Sequence, residues 1–72
     1  MIDRMRERLI PIACVPEQTQ LWPPGTAPHA ETVSRWARRG CRGVRLETIL
    51  LGGRRYSSAE AVARFLDLLA EV

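Results

Sequence analysis

The stretch Thr32–Tyr56, TVSRWARRGCRGVRLETILLGGRRY, holds in order a short helical pattern, a glycine stop, an apolar run, a two-glycine turn and a second basic strand. Seven of the chain's eleven arginines lie in it, namely Arg35, Arg38, Arg39, Arg42, Arg45, Arg54 and Arg55, against a single acid, Glu47. The segment is more positive than the whole 72-residue chain, whose net charge is +3, so the flanks must be slightly acidic. A basic face carried on a helix and a hairpin is the electrostatic footprint of a nucleic-acid binder.

Periodicity predicts a helix over Ala30–Arg39. Val33, Trp36 and Ala37 fall on one side at helical spacing, which puts Trp36 in the core. Glu31, Arg35, Arg38 and Arg39 take the opposite side, flanked by Thr32 and Ser34. Gly40 is placed to end the helix. In the apolar run from Arg42 to Leu51, Val44 and Leu46 share one phase and Ile49 and Leu51 the other, so a bulge or bend is expected near Glu47–Thr48. Gly52-Gly53 is a two-residue hairpin loop. It pairs Leu51 with Arg54, Leu50 with Arg55 and Ile49 with Tyr56, and alternation turns Arg55 away from Ile49 and Tyr56.

Upstream, Met1–Arg8 (MIDRMRER) mixes charges and reads as a solvated tail, leaving residues 9–72 as the domain. Leu9–Ile12 contains Pro11, which lacks a ladder donor, and fits an edge strand. A short helix is expected from about Val15 to Leu21, with Pro16 in its first turn and Val15 and Leu21 facing inward. Three prolines and a glycine make Trp22–Pro28 a loop. Two short helices around a turn resemble a helix-turn-helix, whose second helix enters the major groove. The basic hairpin after it would then be a wing.

Downstream, Ser57–Glu60 has the S-x-x-E pattern of a capping box opening a helix from about Ser58 to Glu71. Ala61, Val62, Phe65, Leu66 and Leu69 form its apolar stripe, Glu60 and Arg64 are spaced for an ion pair, and Leu68 at the stripe's edge could serve a dimer.

Composition narrows the function classes. With 46% hydrophobic residues the chain is globular, and at this length it holds one domain. Every basic residue is arginine, whose planar fork suits phosphates and guanine edges. Cys14, Cys41 and His29 are too few and too scattered for a zinc site, so no metal or other cofactor is expected. No Ser/His/Asp set, paired carboxylates or phosphate loop suggests an enzyme. The sequence has no membrane-span or signal-peptide pattern, and a cytoplasmic location is expected.

The run SRWARRGCRGVRLETILLGGRRYSSAEAVARF resembles a family of short uncharacterised proteins found mainly in planctomycete bacteria. Arg35-Trp36, Gly40, Arg42 to Glu47, Gly52-Gly53, Ser58, Glu60-Ala61 and Phe65 match its pattern, as does the early Glu7–Ile12. Ser34, where tyrosine is frequent, and the Trp22–Pro28 loop depart from it. The family's architecture looks like the excisionase and MerR-type winged helix-turn-helix, mainly α with a small β-hairpin. That likeness implies a double-stranded DNA binder, either excisionase-like, setting the direction of recombination, or a small transcription regulator. A recombinase or a second DNA-bound copy would be its protein partner. Thr32, Ser34, Arg35, Arg38 and Arg39 would lie at the major groove and Arg54 and Arg55 in the wing, with Arg42 a further DNA-binding residue. The alternative is a protein-interaction or terminase-type adaptor module that grips an acidic partner.

Overall fold

A computed structural model describes residues 1–71. These residues form three β-strands, two α-helices and two 3-10 turns. Strand β1 (Leu9–Pro11) leads into a 3-10 turn over Ile12–Glu17 and another over Thr19–Leu21. Helix α1 (Ala30–Arg38) follows the loop, then β2 (Ile49–Leu51), β3 (Arg54–Ser58) and α2 (Ala59–Glu71). The sheet is antiparallel with order β1-β3-β2, so β3 is central and Pro11 lies on an edge strand, where its missing N–H costs little.

The hairpin has the register expected from its loop: Ile49 opposite Tyr56, Leu50 opposite Arg55 and Leu51 opposite Arg54. Gly52 and Gly53 both adopt positive φ, 56° and 80°, as the tight primed hairpin turns require. Helix α1 also ends as expected. Gly40 has φ 84°, and its N–H donates to the Arg35 carbonyl at 3.1 Å, a bond typical of helices that stop on glycine. A Cβ there would lie 2.5 Å from the Val44 carbonyl oxygen, so both conformation and space exclude a side chain.

Several local expectations are corrected. The helix expected over Val15–Leu21 is instead the pair of 3-10 turns, and the first begins earlier, at Ile12. Pro16 sits inside that turn, where a continuing α-helix would need the N–H it lacks. Val15 does face inward and is fully buried, while Leu21 is only half-buried. The apolar run from Arg42 to Leu51 is not one strand. Cys41 and Val44 close a tight turn on each other, with N···O distances of 2.7 and 2.9 Å. The chain then runs without regular structure to Thr48. The change of phase near Glu47–Thr48 lies in that irregular stretch, which buries Leu46 and binds its N–H to the Trp36 carbonyl at 3.1 Å.

Ser58, not Ser57, caps α2: its Oγ accepts from the Ala61 N–H at 2.8 Å. Ser57 is buried on the central strand and donates to the Glu47 carbonyl at 2.9 Å. Nor does Glu60 pair with Arg64; it accepts from the Arg8 N–H. The N-terminal segment is docked rather than a solvated tail, because Ile2 is buried and Glu7 is drawn into an ionic cluster. Arg64 reaches Glu7 at 3.1 Å and Glu47 at 3.0 Å, and Glu7 also accepts from the Ser58 hydroxyl at 2.6 Å.

The core is formed by Ile10, Val15, Val33, Leu46, Ala59, Val62 and Phe65. Trp36 is half-buried against it rather than enclosed, with its ring 5.0 Å from that of Phe65 and 6.3 Å from that of Trp22. It is the aromatic link between α1 and α2. Trp36→Ala should lower stability by about 3 kcal/mol, the low end for such a truncation because one side already faces water. A thermal melt within a few degrees of the parent would contradict this packing.

The ionic cluster predicts a pH dependence. The Ser58 hydroxyl, helped by Arg64 and the Asp3 N–H, lowers the Glu7 carboxyl from 4.5 to about 2. Arg64 is the main cause of the lowering at Glu47. Both folded pKa values lie below the unfolded ones, so this contribution is complete above about pH 4.5 and is lost as the pH falls towards 2. Melting temperature should drop across that window, and Arg64→Met should flatten the drop. A parent and variant with parallel profiles would show that the cluster does not couple to folding.

Candidate nucleic-acid interface

Helix α1 presents two surfaces. Val33 faces the core and Trp36 packs beside it, while Glu31, Arg35 and Arg38 are exposed to solvent. Next to α1 stands the β2–β3 hairpin, and the two elements flank an open groove. Ser34 and Arg38 line it from the helix, Arg54 and Arg55 from the hairpin. Pro11, Ile12 and Ala13, at the end of β1 and the start of the first 3-10 turn, complete its wall. The walls thus come from elements far apart in sequence, held together by the sheet and the core.

Four of the eight residues expected at an interface therefore share one groove: Ser34, Arg38, Arg54 and Arg55. The other four lie outside its lining. Thr32 is half-buried and Arg35 exposed. Arg39 is the C-cap of α1. Arg42 stands on the turn between Cys41 and Val44 and has φ 52°, the only positive φ among the non-glycine described residues. That conformation is uncommon for a long side chain and costs energy. Glu31 is absent from the expected set, yet it lines the groove with Ser34 and Arg38. A signal for it exists, since positions 31, 34 and 38 form one helical row.

Among the described residues, none of the seven arginines between Thr32 and Tyr56 has a carboxylate oxygen within 4.0 Å. Glu47, the one acid of that stretch, is engaged by Arg64. Arg55 donates one guanidinium N–H to the Thr48 hydroxyl at 2.8 Å, which steadies the side chain and leaves its other donors free. His29 is at the N-cap of α1 and makes no capping bond there. No group of three or more His, Cys, Asp or Glu among the described residues is arranged to hold a metal, and both cysteines are free thiols. No described helix is long and apolar enough to cross a membrane.

A family model described as a protein of unknown function, DUF1580, matches residues 20–69, more than two thirds of the chain. The chain belongs to the DUF1580 family. Comparisons with curated proteins and with solved structures give no match. The DUF1580 match spans α1, the hairpin and most of α2, and so all eight expected interface residues. It begins after Pro11, Ile12 and Ala13, so one wall of the groove lies outside the DUF1580 segment.

Arg54 and Arg55 sit next to the Gly52-Gly53 turn, are exposed and lack acidic partners, so they are available to anions. Removing one phosphate-binding cation should reduce the slope of log affinity against log salt by about 0.9. If the groove binds duplex DNA, the double variant Arg54→Ala, Arg55→Ala should flatten that slope by about 1.8. Base preference and melting temperature should change little, because exposed charges contribute little to stability. An unchanged slope in a folded variant would remove the hairpin from the interface.

Proposed function

We propose that this chain is a winged helix-turn-helix that binds double-stranded DNA and has no catalytic activity of its own. The observation that carries the reading is the shared groove: α1 and the hairpin β2–β3 bring Ser34, Arg38, Arg54 and Arg55 to one open surface where the arginines have no ion-pair partner. Bare guanidinium groups on a helix and an adjacent hairpin suit a phosphate backbone, with α1 in the major groove and the hairpin as a wing. The 3-10 turn over Ile12–Glu17 takes the place of the first helix of the motif and packs against α1. The role is excisionase-like or that of a small regulator, with a recombinase or a second bound copy as protein partner.

Titration of duplex DNA of random sequence tests the reading: a mobility shift that weakens as salt rises is expected. Binding to an acidic protein surface in the absence of any affinity for duplex would overturn it in favour of an interaction module. Within the DNA reading, Arg38 is the arginine of α1 that lines the groove. Arg38→Ala should leave the fold intact and weaken binding. Preference at one guanine position should fall by about 1–3 kcal/mol, as when a bidentate guanine pairing is removed. Equal weakening on every sequence would instead make Arg38 a phosphate ligand.

A further inference from the structure

We propose that Glu31 reads a cytosine and so sets the sequence preference of the interface; the inference rests on the DNA-binding reading above. Glu31 lies in the first turn of α1, is exposed, and lines the groove beside Ser34 and Arg38, with Arg54 and Arg55 on the facing wall. A carboxylate in a helix's first turn is favoured by the helix dipole, and that alone would explain it on an ordinary surface. Its setting here differs. Three arginines line the same groove, yet none has an oxygen of Glu31 within salt-bridge distance. Glu31 is therefore not a clamp that orders the arginines, and its charge remains free.

A free carboxylate on a surface that faces phosphates opposes binding unless a donor on the DNA offsets it. In the major groove cytosine N4 offers a donor to a carboxylate. Adenine also offers N6, but its neighbouring N7 is an acceptor that a carboxylate cannot satisfy. Position along the helix agrees. In a helix-turn-helix the N-terminal residues of the second helix contact base edges. Here the arginines Arg35 and Arg38 belong to the last turn of α1, leaving Glu31 and Ser34 as the groove-lining polar residues towards its start.

Selection of bound sites from a random duplex pool tests this with the full 72-residue chain and its Glu31→Gln and Glu31→Ala variants. The parent should enrich a site with a fixed cytosine, preferred by roughly 10- to 100-fold over other bases at that position. Glu31→Ala should lose the preference at that position alone. Glu31→Gln should exchange cytosine for adenine, because a glutamine amide matches the N6/N7 pair. Melting curves close to the parent's would confirm that both variants are folded. A motif unchanged in both variants, with affinity raised uniformly on all sequences, would overturn the inference and leave DNA binding standing. A parent that binds no duplex would overturn both.

Discussion

The fold depends on one guanidinium holding two distant carboxylates. Arg64, on α2, reaches Glu7 in the N-terminal segment and Glu47 in the irregular stretch before the hairpin. Three pieces of chain that share no strand pairing or helix are joined at that point. Ser58 extends the join, since its hydroxyl donates to Glu7 while its oxygen caps α2. Each interaction is partly exposed and individually modest, but a bidentate network with shared partners does more than isolated surface pairs. It also has an electrostatic side effect. Glu7 and Glu47 are both drawn to Arg64, and Glu47 is the one acid that could have neutralised the basic stretch from within.

The groove takes its shape from what α1 and the hairpin pack against. Helix α1 has nine residues, too few to be stable alone in water, so its outward arginines are positioned by what its buried face touches. Val33 is fully buried, Trp36 bridges to Phe65, and the Trp36 carbonyl is tied to Leu46. The hairpin is held in turn by pairing with β1 across the central strand. Helix and hairpin thus keep a fixed relation through the elements that each packs against.

Legibility in the sequence follows the range of the interactions. The Gly52-Gly53 register, the Gly40 stop, the extent of α1 and the edge position of Pro11 are all readable, because each is set within a few residues by turn chemistry or proline geometry. The 3-10 turns read as a helix because Pro16 is as compatible with a helix's first turn as with a tight turn, and local pattern does not separate them. The spacing of Glu60 and Arg64 points to a helical pair, whereas the actual partners of Arg64 lie 57 and 17 residues away. The same blindness to distant partners makes Met1–Arg8 look like a tail. At the groove, the arginines of the helix and the hairpin are legible as charge. Glu31 does not stand out, because a lone acid in a first turn looks like ordinary dipole compensation until the opposing wall is in place.

The sheet joins segments that are synthesised far apart. Strand β1 pairs with β3 through Leu9 and Ser58, 49 positions on, while β2 and β3 are separated by only two glycines. On the ribosome, then, Leu9 and Ile10 emerge well before the strand that will cover them. An apolar extended segment left waiting is open to pairing with another chain. Pro11 removes a backbone donor from that segment, which makes it a poor template for such pairing and costs nothing once β1 has taken its place on the edge of the sheet. The proline that marks the strand as peripheral in the finished fold thus also protects it during its wait.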